Sequence, residues 1–367
     1  MRDSQWALRS FDVENKIWSQ SQGEGVVVAV VDSGVMQDHQ DLTGQVLSGT
    51  DFSGAKTDGR VDNLGHGTGI ASIIAGHGHG DRAGVMGLAP KARILPVRIR
   101  TNGESPNLDQ SDIALAVRYA TDKGAKVINM SLGGYSRLDS QARDAIKYAV
   151  SKDVVLVAAA GNGDGTSVEY PAAFPGVVAV TAVDEQGKLW AKATPGPETT
   201  LAAPGVEIYH SSVKSSSSYG IGQGTSDATA YVSATAALIR AKYPNLSAGQ
   251  VVNRLIKTAT PPVDGSAVPS DRYGYGVLAP GKALEANPGV DDGPRENPLV
   301  GRKESQGAPP ADDPTDGASE EAVAPGAEGG GSSGNGMGAV VGVAAGGLAL
   351  VVGLVVVLVV RGRRRGQ

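Results

Sequence analysis

With 367 residues, a net charge of −5 and no cysteine, the chain excludes disulfides, thiolate metal sites and cysteine nucleophiles, and it offers no basic field for nucleic acid. Its length suits one large domain or two ordinary ones, and 52 glycines against three Phe and three Trp point to tight turns and close backbone packing. Imidazole chemistry has five candidates: His39, His66, His77, His79 and His210.

In chain order, the first predicted strand is "VVVAVV" (26–31), which runs into Asp32 and a Ser-Gly turn. A small-residue helix is predicted over 67–76, entered through "NLGHGTG" with His66 between two glycines. Strands follow at 94–99, 125–131, 154–160 and 176–183, with helices at 110–123, 138–151, 226–243 and 247–260. Near-continuous apolar strands separated by helices predict a three-layer α/β fold, a parallel β-sheet covered by helices on both faces. In such sheets functional groups gather at the carboxyl ends of the strands.

Four polar residues stand at such edges. Asp32 ends a buried strand, where an Asp is either a turn-former or a carboxylate that orients a histidine. His66 opens a helix, either as a plain helix-start residue or as a base whose pKa lies near working pH. Asn162 follows the strand in "VVLVAAAGNGDG", as a turn residue or as an amide donor to an oxyanion. Ser226, in "GQGTSDATAYVSA", is either a helix cap or a nucleophile at a helix N-terminus, where free N–H groups would stabilise developing negative charge. Together, in the order Asp, His, Asn, Ser on a parallel α/β frame, they are read as one site, a chain of hydrogen bonds from 32 through 66 to 226 with the amide of 162 facing it. An α/β-hydrolase is excluded by order, since there the serine precedes the acid and the histidine. The "HGHGD" loop (77–81) is read as a loop, and no metal is expected.

Beyond a head of residues 1–286, residues 287–337 are dominated by Pro, Gly, Asp, Glu and Ser and are predicted to be a disordered tether. Residues 338–360 carry no charge and are long enough to cross a bilayer as a single transmembrane helix. The basic tail at 361–367, "RGRRRGQ", places the C-terminus in the cytoplasm and the head outside the cell membrane. That orientation requires export, yet residues 1–25 hold no signal-peptide core, so the sequence is expected to be either a trimmed product or one whose start site lies further upstream.

The stretches "VVDSGV", "GHGTGIAS", "SLGG" (131–134), "AAAGN", "LAAPG" (201–205) and "GTSDATAYVSA" resemble those of the subtilisin-like serine proteases, over about residues 5–285. The resemblance implies a serine endopeptidase in which Ser226 attacks, His66 is the base, Asp32 holds His66, and Asn162 with the Ser226 N–H forms the oxyanion hole. It further implies that Ser131, Leu132 and Gly133 pair with a protein or peptide substrate, that Gly161 borders the cleft, and that Glu169 aligns with the pocket for the residue before the scissile bond, either favouring Lys or Arg there or standing as a solvated loop glutamate. No cofactor is implied. Structural calcium occurs in relatives, but its ligand pattern does not carry over. The anchored layout is similar to that of mycosins, which implies membrane lipid and a type VII secretion complex as partners. Three positions depart from the family: Asp227 for Met, Ala230 for Pro and Gly69 for His. A carboxylate beside the nucleophile opposes oxyanion charge, so the alternative is a catalytically silent module that binds peptide or braces a complex.

Overall fold

A computed structural model describes residues 2–100, 111–163 and 167–303. In chain order its helices are α1 (Trp6–Ser10), α2 (His66–Ala75), α3 (Asp112–Asp122), α4 (Ser140–Ser151), α5 (Thr225–Lys242), α6 (Ala248–Thr258), α7 (Pro280–Leu284) and α8 (Pro288–Asp291). Its strands are β1 (Val27–Asp32), β2 (Thr50–Asp51), β3 (His77–His79), β4 (Ala83–Met86), β5 (Arg93–Arg98), β6 (Val127–Met130), β7 (Val155–Ala159), β8 (Val177–Val183), β9 (Thr199–Pro204), β10 (Ile208–Ser212) and β11 (Ser218–Gly222). Seven strands form one parallel sheet in the order β2-β5-β1-β6-β7-β8-β9.

The apolar strands are continuous because alternate side chains enter two different cores. Val28, Val30, Val155, Val157 and Val180 pack on one face with Ile70 and Ile73 of α2, Leu238 of α5 and Val251 of α6. Ala29, Val31, Leu156, Ala158 and Ala179 pack on the other with Ile113 and Val117 of α3 and Ile146 of α4. Side chains of period two, buried on both sides, leave few polar positions along the strands, and those present, such as Asn129 of β6 and Thr181 of β8, are buried too. Caps punctuate the helices: Ser111 starts α3, Asp139 starts α4, and Ser247 with Gln250 forms a capping box on α6.

The chain leaves β1 for β5 on one side and returns to β6 on the other, so the sheet reverses direction at β1. A crevice opens at the carboxyl ends of the strands beside such a switch point. Asp32 ends β1, Ser131 follows β6, and Asn162 lies just past β7. Helix α5, buried along nearly its whole length, points its N-terminus into the same region.

Two features depart from the sequence expectations. Residues 287–303, assigned by composition to the tether, pack against the head. There Arg254 pairs with Asp291 of α8, Asn297 Nδ2 donates to Gly176 O at 2.8 Å, and Arg302 donates to the carbonyls of Ala172, Phe174 and Glu198 at 2.8–2.9 Å. A few anchoring side chains hold a segment whose average composition is that of a linker. The "HGHGD" stretch forms β3 and the turn to β4, with His79 Nδ1 donating to the buried Asp41 carboxylate at 2.6 Å. The expected membrane span, 338–360, lies outside the described residues. Among the described residues no helix is long and apolar enough to cross a membrane.

Candidate active site

Asp32 is 1% exposed, and its Oδ1 accepts the Ser33 N–H at 2.7 Å. The His66 ring faces both carboxylate oxygens, with Nδ1 at 2.8 and 2.9 Å. A carboxylate requires a donor there, so in the neutral ring the proton sits on Nδ1 and leaves Nε2 as the acceptor. The approach depends on Gly67, where a methyl group would stand 2.1 Å from Gly34 O and 3.0 Å from the Asp32 Cβ. The His66 side chain remains 47% exposed to the cleft. Burial works to lower its pKa, but Asp32, with Asp227 and Asp62 adding negative charge, outweighs it and pushes it up to about 9.

Ser226 is the second residue of α5. The N-cap is Gly224, which has no side chain, and the Ser226 hydroxyl takes no capping role. Ser226 Oγ donates instead to Ser131 O at 3.3 Å, while Ser131 Oγ donates to Ser226 O at 2.9 Å. Among the described residues the hydroxyl makes no bond to His66, so the expected chain of hydrogen bonds is open at this link. Rotation about one side-chain bond redirects the hydroxyl, and such links commonly close only with substrate in place.

The amide of Asn162 is fixed by Thr225, the first residue of α5. Its Oδ1 accepts both the Thr225 N–H and the Thr225 hydroxyl, each at 2.8 Å. A backbone N–H can only donate, so the oxygen faces the helix, and among the described residues the NH2 group is left as a free donor. Gly224 allows this proximity: a methyl group on it would lie 3.3 Å from Asn162 Nδ2.

The predicted substrate-side residues are also brought together. Ser131, Leu132 and Gly133 follow β6, and Tyr135 bridges to Tyr170 in antiparallel fashion. The Glu169 carboxylate lies between Gly133 and Gly161: methyl groups on the two glycines would stand 1.8 Å from Oε2 and 2.6 Å from Oε1. Among the described residues nothing donates a hydrogen bond to that carboxylate.

The family departures are linked in space. A methyl group at Gly69 would stand 2.8 Å from His210 Nδ1, so the ring of His210 fills the space that Gly69 leaves. That ring donates from Nδ1 to Ser211 O at 2.8 Å. Asp227 is 7% exposed, and burial pushes its carboxyl above the usual range against the pull of His210 and His66. A methyl group on Gly222 would stand 3.0 Å from His210 Nε2 and 3.1 Å from Asp227 Oδ1. Sequence reading assigned no role to His210, Thr225 or Asp62. Of these only Asp62 left a local signal, an Asp shortly before a helix start.

A seven-stranded parallel sheet with these side chains at its carboxyl edge defines an enzyme of the serine-hydrolase type. The profile of the subtilase family matches residues 23–276, and the chain belongs to that family; it is a subtilisin-like serine endopeptidase. It is 36% identical to subtilisin DY of Bacillus licheniformis over 260 residues, covering 70% of this chain and 89% of that protein. Thermitase of Thermoactinomyces vulgaris is 39% identical over 222 residues, 60% of this chain and 77% of that one. Among solved structures, the MycP3 protease of the type VII (ESX-3) secretion system is 32% identical with a TM-score of 0.66, over 77% of this chain and 88% of that one. MycP1 from Mycobacterium smegmatis is 28% identical with a TM-score of 0.67, over 81% and 88%.

Proposed function

We propose that Asp32, His66 and Ser226 form the catalytic triad of a membrane-anchored endopeptidase, with Asn162 as oxyanion donor. Ser226 Oγ turns from the Ser131 carbonyl to His66 Nε2, gives up its proton there and attacks the peptide carbonyl carbon. The carbonyl oxygen takes up the negative charge between Asn162 Nδ2 and the Ser226 N–H, at the positive end of α5. Asp32 holds the imidazolium. As the C–N bond breaks, His66 hands its proton to the departing amine, and water then cleaves the acyl-enzyme by the same route. The observation that carries this reading is the pairing of His66 Nδ1 with both Asp32 oxygens, while the Asn162 NH2, near the start of α5, is unbonded among the described residues.

The substrate is a protein or peptide laid along Ser131–Gly133 and Gly161. Glu169, a carboxylate between the two glycine walls with no hydrogen-bond donor among the described residues, favours Lys or Arg before the scissile bond. The uncharged stretch 338–360 anchors the head on the extracytoplasmic side, with the arginine-rich tail in the cytoplasm. Likeness to MycP proteases of type VII secretion systems supports a place beside such a complex. Labelling of the purified protein with a fluorophosphonate tests the reading. Labelling that disappears in Ser226→Ala is expected, and an unlabelled native protein would favour the silent peptide-binding module instead.

A further inference from the structure

Helix α2 has a cap that comes from outside it. Its N-cap residue, Gly65, has no side chain to offer, yet the N–H groups of Gly67 and Thr68 in the first turn are bonded by side chains. Asp62, 7% exposed, supplies the bonds. Its Oδ2 accepts the Thr68 N–H at 2.9 Å and the Thr68 hydroxyl at 2.7 Å. Its Oδ1 accepts the Leu64 N–H at 3.0 Å, the Gly65 N–H at 2.8 Å and the Ser33 hydroxyl at 3.0 Å. Ser33 Oγ in turn accepts the Gly67 N–H at 3.0 Å. One carboxylate therefore grips Gly65 directly and Gly67 through Ser33, the two neighbours of His66 in the chain. It also grips Ser33, the neighbour of Asp32.

We propose that Asp62 is a positioning residue for the catalytic pair: it bolts the end of β1 to the start of α2 and so fixes the angle at which the His66 imidazole meets Asp32. The proposal rests on the triad reading above. A negative charge at a helix N-terminus is favourable in itself. Asp32, Asp227 and Asp62 are the charges that act on His66, with His210 beside Asp227. A displacement of about 1 Å at a reacting group costs about 100-fold in rate, so a loosened clasp shows in turnover before it shows in binding.

Asp62→Asn keeps one acceptor oxygen but turns an NH2 group toward the Thr68 N–H. The expected result, per fluorophosphonate-titrated active site, is a fall in kcat of about 10- to 100-fold with KM within about threefold. The acid limb of kcat/KM moves to lower pH, because a charge that raises the His66 pKa is gone. Asp51→Asn serves as the control. Asp51 grips Ser53 and Thr57 in the same manner, away from His66, and its variant should lose thermal stability while kcat and the limb stay put. The His66 Nδ1–H proton resonance, followed in a Ser226→Ala background, reads the positioning without any turnover. It should broaden or disappear with Asp62→Asn. A sharp, unmoved resonance, or a kcat per titrated site within twofold of native, overturns the proposal. A native protein that does not label, but whose resonance does respond, overturns the protease reading and leaves the clasp standing.

Discussion

Replacing Asp227 by Asn should release activity at neutral pH. His66 must be unprotonated to accept the Ser226 proton, and its pKa is pushed up to about 9 by Asp32, Asp227 and Asp62. At pH 7 about one imidazole in a hundred is then neutral, and kcat/KM should climb about tenfold per pH unit before levelling above about 9. Asp227 adds to this because its buried carboxylate, once ionised, favours the imidazolium. Removing the charge moves the limb to lower pH. A shift of half a unit, about 0.7 kcal/mol, triples the neutral fraction at pH 7. The alkaline plateau should rise as well, since a carboxylate beside the nucleophile also opposes oxyanion charge. The assay is kcat/KM for a peptide p-nitroanilide from pH 5 to 10, normalised to titrated sites. A native limb at the ordinary histidine value of about 6.5, or a variant limb displaced to higher pH, would refute the electrostatic reasoning.

Three further outcomes are expected. Asn162→Leu keeps the approximate size without introducing charge and removes the donor, along with the oxygen that accepts the two Thr225 bonds. It should lower kcat about 100- to 1,000-fold, a range that derives from this same kind of donor in subtilisin, with KM nearly constant; a loss below fivefold would remove Asn162 from the oxyanion hole. Glu169→Gln should erase a preference for Lys and Arg over Leu and Phe in a fluorogenic peptide panel, and a native enzyme that cuts Leu or Phe peptides better speaks against the pocket assignment. Arg254 is fully buried, paired with Asp291 and bonded to Ala283 O at 2.8 Å, so Arg254→Ala should cost about 3–5 kcal/mol by stranding those groups. At about 2–4 °C per kcal/mol, calorimetry should record a Tm roughly 10 °C lower, and a drop below about 3 °C is incompatible with the pairing as described.

What could be read in advance was whatever short-range pattern encodes. Runs such as 154–160 announce buried strands because both faces are covered, and His66 stood out because glycines flank it. Asp32, His66, Asn162 and Ser226 were each legible as polar residues at element ends, and the structure places their elements around one crevice. Contacts made over long separations were not legible. His210 fills the gap at Gly69 from a hairpin, β10–β11, whose serine- and glycine-rich sequence carries no strand signal. The Asp62 clasp depends on Ser33, 29 residues away. The direction of the Ser226 hydroxyl is a choice of rotamer, on which sequence is silent. Residues 287–303 misled because composition averages over a segment, whereas attachment there rests on Asp291, Asn297 and Arg302.

That last attachment decides where the head can be cut free. Ending a recombinant protein at 286 would not trim a spacer; it would take the carboxylate of Asp291 from Arg254 and the guanidinium of Arg302 from three carbonyl oxygens around β9 and the stretch after Glu169. A soluble version that stops after 303 keeps these partners in place, and one that stops at 286 would be made with its seam already open.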